Sequence, residues 1–146
     1  SRMDLGDYLD RLAQLLRGAY RSSASGVELQ LERPAQPVYL DLERAIPCGL
    51  VVNELVTNAF KHAFPAQRTG TITISLSCSN ERLTLGVRDD GVGLPEVFDF
   101  DTVKSLGLQL VPLLVDQLHG ELQMAHDGGA RYRITFPASL SARGTA

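Results

Sequence analysis

Apolar residues recur at helical spacing in three stretches of this chain. In the first, over 4–20, leucines repeat every three or four positions while Asp and Arg occupy the other face. The second covers 42–63, with Asp41 as its cap, and the third covers 105–119, with Gly120 placed to end it. The pattern therefore predicts three helices, each with an apolar face that needs a core.

Apolar and polar residues alternate at period two in the intervening stretches, which predicts strands. The first strand covers 27–31 and, because prolines follow it, is expected at a sheet edge. Strands over 72–78 and 83–87 are joined by SNER as one hairpin, and a second hairpin over 122–136 turns at HDGGA. The order α, β, α, β, β, α, β, β forms no regular βαβ units. We therefore expect an α+β fold, a two-layer sandwich whose mixed, mostly antiparallel sheet has helices on one face.

The composition narrows the class of protein. The chain has 146 residues, 44% of them apolar, which suits one two-layer core, so we expect a single domain over 1–146 that includes the helix and strand of 1–36. A net charge of -3 favours neither nucleic acid nor a membrane surface as a partner. Two cysteines without metal or disulfide spacing, and no apolar run long enough to span a bilayer, indicate a cytoplasmic domain, although its parent protein could be membrane-anchored.

Polar residues share one stripe of the second predicted helix, within NELVTNAFKH. The residues at i, i+4, i+7 and i+8 are Glu54, Asn58, Lys61 and His62. A carboxylate, an amide oxygen and nitrogen donors suit a place where Mg2+ and phosphate meet, since hard cations take oxygen ligands and phosphates take donors. A surface stripe on an amphipathic helix has the same pattern, so the stripe alone leaves both interpretations open.

Two further motifs follow along the chain. In VRDDGVGLP, Asp89 ends a predicted strand and could accept a hydrogen bond from the amino group of adenine, where guanine has an oxo group. Gly91 and Gly93 permit a tight turn beside a ligand. A plain turn is the alternative, because Asp-Gly is a common turn dipeptide. In KSLGLQL, Gly107 lies at a predicted helix start, where backbone N–H groups can bind an anion, although an ordinary helix start is the more common explanation.

The three motifs, taken in order, resemble the N, G1 and G2 boxes of the GHKL ATPase superfamily. The match extends from Val38 to Pro137. The segments DLERAIPCGLVVNELVTNAFKHAFP, VRDDGVGLP and KSLGLQLVPLLVDQLHGEL are similar to the HWE-related histidine kinases in particular. This resemblance implies the Bergerat ATP-binding fold, with ATP and Mg2+ as its ligands.

The resemblance also implies roles for the N-box residues. Asn58 would coordinate Mg2+, and Glu54 would orient or deprotonate a group beside the γ-phosphate, with metal contact as a second role. Lys61 and His62 would contact phosphate oxygens. The catalytic set implied in this way is Glu54, Asn58 and Lys61.

The other two boxes would contact the rest of the nucleotide. By the same resemblance, Asp89 would bind the adenine amino group, and Gly91 and Gly93 would shape the pocket floor. Residues 94–105 would form an ATP lid, which we expect to be mobile. Nucleotide contacts are also implied at the ends of this lid and at the start of the next helix, for Leu94, Ser105, Leu106, Gly107 and Leu108.

The sequence departs from the superfamily pattern in three places. In the G2 box, Gln109 stands two residues after Gly107 in place of a second glycine, a variation that the HWE-related group tolerates. Phe98 and Phe100 lie in a short lid, either as an F-box-like anchor or as core residues. Ala130 stands where many members have Gly-Thr before the last strand, so a hydroxyl that contacts adenine is either missing or supplied elsewhere.

The resemblance implies phosphoryl transfer to a histidine on a separate helical dimerisation unit, of the same or a partner kinase chain, with a response regulator downstream. His119 and His126 lack the neighbours of a phosphoacceptor and are expected at the surface, so we expect no autophosphorylation of this chain. Two other functions stay open. One is an anti-sigma-factor-type serine kinase, and the other is a non-catalytic nucleotide-binding scaffold, against which Glu54, Asn58 and Asp89 argue.

Overall fold

Five strands form one mixed sheet in the computed structural model, which describes residues 1–93 and 106–139. The helices are α1 (Leu5–Tyr20), α2 (Leu42–His62) and α3 (Leu106–Gln117). The strands are β1 (Arg2–Asp4), β2 (Val27–Glu32), β3 (Tyr39–Asp41), β4 (Gly70–Ser79), β5 (Arg82–Asp89), β6 (Glu121–His126) and β7 (Ala130–Pro137). The predicted order of helices and strands is confirmed, with β1 and β3 added.

The five-stranded sheet has the order β2-β4-β5-β7-β6. β2 and β4 are parallel, and the other three pairs are antiparallel, which confirms the predicted mixed sheet and the edge position of β2. β1 and β3 form a separate antiparallel pair. Sequence reasoning missed this pair because strands of three residues are too short to show a period-two pattern.

One face of the sheet carries the core. Apolar side chains at alternate positions of β4, β5 and β7 are buried together with the apolar faces of all three helices. Examples that are at most 1% exposed are Leu9, Val52, Ile74, Leu85, Val111 and Ile134. Because every helix buries its apolar face against the same side of the sheet, the predicted two-layer α+β sandwich is confirmed.

The turn of the β4–β5 hairpin is built from two residues in the left-handed region. Asn80 and Glu81 have φ values of 53° and 60°. Two consecutive positive φ values give the type of tight turn whose twist matches that of the flanking strands. The hairpin predicted around SNER is confirmed, with Ser79 opposite Arg82.

The end of α3 differs from the prediction that Gly120 would stop it. His119, not the glycine, adopts the left-handed conformation, with a φ of 56°. The backbone N–H of Gly120 donates to the carbonyl of Val115 at 3.1 Å, as in a Schellman cap. Gly120 is needed for space instead, because a Cβ atom there would lie 2.7 Å from the carbonyl oxygen of Thr135.

Candidate nucleotide site

α2 positions the four polar residues of the N box along its second half. Glu54 and Asn58 are half-buried, whereas Lys61 and His62 are exposed near the end of the helix. The other side of the same turns lies in the core, through Leu55, Val56, Ala59 and Phe60. The helix therefore holds two oxygen-bearing side chains at partial depth and presents two nitrogen donors toward solvent.

The N box and the G2 box meet directly. A Cβ atom at Gly107 would lie 2.7 Å from Oε1 of Glu54 and closer still to its other carboxylate oxygen. With Glu54 in this conformation, the start of α3 can approach the carboxylate so closely only because residue 107 has no side chain. Residues more than fifty positions apart in the sequence are thus brought together by the packing of α2 on α3.

Asp89 is held by backbone donors at the end of β5. Its Oδ1 atom accepts from the N–H of Gly91 at 2.9 Å and from the N–H of Ala130 at 3.3 Å. Among the residues that the structure describes, no donor reaches Oδ2. One carboxylate oxygen is therefore fixed by backbone N–H groups, and the other receives no hydrogen bond from residues 1–93 and 106–139.

The β6–β7 turn closes behind this carboxylate. Gly129 has a φ of 139°, and a Cβ atom there would lie 3.0 Å from Oδ1 of Asp89. Further along β7, burial first and the charge of Asp89 second raise the pKa of Tyr132 to about 12. Ala130, which has no hydroxyl, contributes its backbone N–H to the site.

The G1 box also docks on the end of the N-box helix. The N–H of Val92 donates to the carbonyl of Ala63 at 2.9 Å. A Cβ atom at Gly91 would lie 2.7 Å from the Cβ of Ala63 and closer still to that carbonyl oxygen. Gly91 is buried, so its lack of a side chain is what permits the contact between the G1 turn and α2.

His126, which the sequence predicted at the surface, lies beside Gly93 at the candidate site. Gly93 has a φ of 81°, and a Cβ atom there would lie 2.8 Å from Nδ1 of His126. His126 is exposed, as expected, but its imidazole lies against the G1 turn. No local pattern signals this contact, because it depends on how the β6–β7 hairpin packs on the end of β5.

The second carboxylate of the Asp-Asp pair has a different role. Oδ1 of Asp90 accepts from the N–H of Thr71 at 2.8 Å, and the N–H of Asp90 donates to the carbonyl of Thr71 at 3.3 Å. Asp90 therefore continues the pairing of β5 with β4 beyond the last strand residue. This separates a structural carboxylate, Asp90, from the candidate ligand group, Asp89.

Several predicted contacts lie outside the described residues. These are the lid residues between 94 and 105, including Leu94, Phe98, Phe100 and Ser105. At the start of α3, the side chain of Leu106 is 69% exposed, whereas that of Leu108 is buried in the core. A phosphate could therefore meet only the backbone of Leu108, not its side chain.

The side chains present fit a magnesium ion that is shared with a phosphate. Over residues 1–93 and 106–139, no cluster of three or more His, Cys, Asp or Glu side chains could enclose a metal by itself. Mg2+ commonly takes one or two protein oxygens and completes its shell with water and substrate phosphates. Glu54 and Asn58, one helical turn apart and half-buried, offer such a pair.

None of the helices described in the structure is both long enough and apolar enough to cross a membrane.

Known proteins resemble this chain in sequence and in structure. The family model described as histidine kinase-, DNA gyrase B-, and HSP90-like ATPase matches residues 43–140. Blue-light-activated histidine kinase 2 of Erythrobacter litoralis is 36% identical over 137 residues, which are 92% of this chain. Sensor histidine kinase PdtaS of Mycobacterium tuberculosis is 35% identical over 146 residues, which are 97% of this chain. The solved histidine kinase domain of Erythrobacter litoralis EL346 superposes with a TM-score of 0.83 at 31% identity and covers 98% of this chain.

The chain accounts for only part of each of these relatives. It spans 38% of the Erythrobacter litoralis kinase, 28% of PdtaS and 64% of the solved histidine kinase domain. The serine-protein kinase RsbW of Listeria innocua, which represents the alternative function, is less similar, with 29% identity over 74% of this chain. The match to the family model covers about two thirds of the sequence, and the motifs and fold agree with it. The chain belongs to the histidine kinase-, DNA gyrase B- and HSP90-like ATPase family.

Proposed function

We propose that this chain binds Mg-ATP and transfers the γ-phosphoryl group to a histidine on a separate helical unit, as the catalytic domain of a sensor histidine kinase. The observation that carries the proposal is the joint geometry of the three boxes. Glu54 of the N box lies against Gly107 of the G2 box, and the G1 turn around Gly91 docks on the end of the same helix. Groups that can bind the base, the metal ion and the phosphates therefore lie around one region.

Asp89 is the proposed adenine contact. With Oδ1 engaged by two backbone N–H groups, Oδ2 can accept a hydrogen bond from the exocyclic amino group of adenine. Guanine has an oxygen at that position, and two acceptors would repel each other. The carboxylate therefore supports ATP over GTP as the nucleotide.

The half-buried Glu54 and Asn58 are the proposed metal ligands, and the start of α3 is the proposed phosphate contact. When bound, Mg2+ would neutralise charge on the phosphate oxygens during transfer. Lys61 and His62 can donate to phosphate oxygens from the exposed end of α2. The backbone N–H groups at the start of α3 favour negative charge, because they lie at the positive end of the helix dipole.

The nucleophile is proposed to come from outside the described structure. Of the three histidines, His62 belongs to the N box, His119 occupies the cap of α3, and His126 packs on the G1 turn. We therefore expect no autophosphorylation of this chain alone. The partner is proposed to be a phosphoacceptor helical unit of the same or another kinase chain in the cytoplasm, with a response regulator as the next acceptor.

The experiment that tests this function is transfer from γ-labelled ATP to a supplied acceptor. The chain is mixed with Mg-ATP and, as acceptor, the histidine kinase domain of Erythrobacter litoralis EL346 in a variant that no longer binds ATP. We expect label on the acceptor only, in a linkage that acid cleaves and alkali preserves, as for a phosphorus–nitrogen bond. Acid-stable label would instead support a serine kinase, and binding of ATP without transfer would support a scaffold.

A further inference from the structure

The face of the sheet that points away from the helices carries three arginines close together. Arg88 lies on β5, and Arg131 and Arg133 lie on β7, at positions that alternate with the buried core residues of these strands. The register places Arg88 directly opposite Arg131, and Arg133 is the next residue of β7 on the same face. Like charges directly opposite each other on neighbouring strands destabilise a sheet. The sheet therefore contains a repulsive contact here, which an anion between the guanidinium groups would relieve.

A hollow opens beside these arginines because the central strand has no side chain at residue 86. Gly86 lies in the middle of β5, between Ser75 of β4 and Arg133 of β7. A Cβ atom there would lie 2.5 Å from Oγ of Ser75. Glycine weakens the interior of a strand, and it often marks a position where a ligand approaches the backbone. The hollow has a volume of about 220 Å3, below the roughly 300 Å3 at which pockets for drug-sized ligands begin, so it suits a small ligand.

The lining of the hollow supplies hydrogen-bond donors and positive charge. It includes the three arginines and the hydroxyl-bearing residues Ser75 and Thr84, and none of the described residues that line it is acidic. A guanidinium group presents several N–H donors in a planar fork, which matches the oxygens of a carboxylate or a phosphate. Hydroxyl groups can donate to the same oxygens. The chain as a whole has a net charge of -3, so this basic site is a local feature and not part of a generally basic surface.

Two of the arginines have acidic neighbours outside the hollow, but these contacts are exposed. Arg88 pairs with Glu32 at 3.1 Å, and Arg131 pairs with Asp127 at 3.6 Å. The side chains of both pairs are between 42% and 72% exposed, and exposed ion pairs contribute little stability. Within residues 1–93 and 106–139, no carboxylate forms an ion pair with Arg133. An anion in the hollow would therefore not have to displace a strong internal partner.

The hollow is separate from the proposed nucleotide site, although both involve β5 and β7. Asp89 follows the alternation of the buried Leu85 and Val87, so it lies on the side of the sheet that carries the helices. Arg88, the residue before it, belongs to the opposite side. A ligand in the hollow would therefore leave free the space proposed for adenine and for the phosphates of ATP.

We propose that this hollow, bounded by Arg88, Arg131 and Arg133, is a binding site for a phosphate group. A phosphate group carries a charge of roughly -1.5 to -2 at neutral pH, and its oxygens can accept from more than one guanidinium group at once. A carboxylate has a single charge and would neutralise less of the cluster. The phosphate is either free or carried by a phosphorylated side chain, since both present the same oxygens. The site does not depend on the proposed kinase function.

The test follows the backbone amides of the full chain by two-dimensional NMR while sodium phosphate is added without nucleotide or Mg2+. We expect the amide signals of Gly86 and Arg133 to shift and to saturate, whereas sodium chloride at equal ionic strength should not reproduce these shifts. In the variant with Arg131→Gln and Arg133→Gln, the dissociation constant measured at Gly86 should rise about tenfold or more, since hydrogen bonds between charged groups are lost. The matched control is Arg82→Gln, an exposed arginine on the same face of β5 but outside the hollow, which should change this constant by less than about twofold.

A second titration distinguishes the sources of the phosphate group. Phosphoserine blocked at both ends replaces the inorganic ion under the same conditions. Tighter binding than that of inorganic phosphate would assign the hollow to a phosphorylated side chain, and weaker binding would assign it to the free ion, so either result supports the site. A blocked triglutamate peptide represents an acidic protein segment. Tighter binding of this peptide than of both phosphate probes would overturn the proposal.

The remaining outcomes separate this site from the proposed function. Unchanged phosphate affinity in the double variant, or equal shifts with chloride and phosphate, would overturn the site in the hollow. Shifts confined to amides at the start of α3, such as that of Leu108, would also overturn it, and would support the phosphate contact of the proposed function. Failure of the chain to bind Mg-ATP would instead contradict the proposed function, and the shifts at Gly86 would still report on the hollow by themselves.

Discussion

The two ends of the candidate site are built in different ways. At the end proposed for adenine, Asp89 is fixed by backbone N–H groups of Gly91 and Ala130, and the G1 turn is tied to the carbonyl of Ala63. At the end proposed for phosphate, the contact between Glu54 and Gly107 involves a side chain that can rotate. The proposed base contact is therefore preorganised by the backbone, whereas the proposed phosphate contact depends on a side chain that can adjust.

The largest effect on stability is expected at the adenine end, from Gly91→Ala. The new Cβ atom would collide with the backbone of Ala63, which cannot move without distorting the end of α2. We expect the free energy of unfolding to fall by about 1 to 3 kcal/mol, as in overpacked sites, together with weaker binding of ATP. Urea unfolding and ATP titration measure the two effects.

The matched control is Gly18→Ala on α1. Nothing lies within 4 Å of a Cβ atom at Gly18, and alanine suits a helix better than glycine. This variant should gain about 0.5 to 1 kcal/mol of stability. If Gly91→Ala proved as harmless as this control, the rigid contact between the G1 turn and α2 would be wrong.

A smaller change in stability is expected at the phosphate end, from Gly107→Ala. Here the new Cβ atom meets the Glu54 carboxylate, which can rotate away. The unfolding free energy should therefore change by less than about 1 kcal/mol, because alanine also favours the helix. The rate of phosphoryl transfer should nevertheless drop, by roughly 100-fold, since Glu54 is displaced. A loss of stability that matched Gly91→Ala would remove the difference between the two ends.

A pH dependence that is confined to alkaline conditions is expected at the adenine end. The folded chain raises the pKa of Tyr132 from 10.0 to about 12, so the unfolded chain binds fewer protons between these values. The contribution of Tyr132 to stability is complete below pH 10 and is lost as the pH rises toward 12. Urea unfolding of Tyr132→Phe should therefore show a shallower decline over this window. Tyr39→Phe, at a 51% exposed position, should follow the unmodified chain, and identical slopes for all three would contradict the burial of the Tyr132 hydroxyl.

Periodicity was sufficient to predict the helices, the main strands and both hairpins, because each depends on local alternation of polar and apolar residues. It missed β1 and β3, which are too short to show a period, and it misplaced the cap of α3, where His119 adopts the conformation expected of glycine. The three boxes could be found in the sequence from their order. The sequence could not show why glycine is needed at positions 91 and 107, because each of these glycines contacts a residue on another element.

The candidate site likewise depends on contacts between elements that the sequence could not show. The sequence put Asp89 at a strand end but could not show that Ala130, the residue without the expected hydroxyl, donates its backbone N–H to that carboxylate. It also could not distinguish the environments of Asp89 and Asp90, or bring His126 to the G1 turn. Membership of the HWE-related group and the behaviour of the lid over 94–105 stay predictions.

Calorimetric titration with Mg-ATP and Mg-GTP tests the proposal that Asp89 selects adenine. We predict saturable binding that prefers ATP, and a loss of about 1.5 to 3 kcal/mol of ATP binding energy in Asp89→Asn. The control Asp90→Asn keeps an oxygen that can accept from Thr71, so it should bind ATP as the unmodified chain does. Equal affinity of the unmodified chain and Asp89→Asn for ATP, or a preference for GTP in the unmodified chain, would show that Asp89 is not the adenine contact.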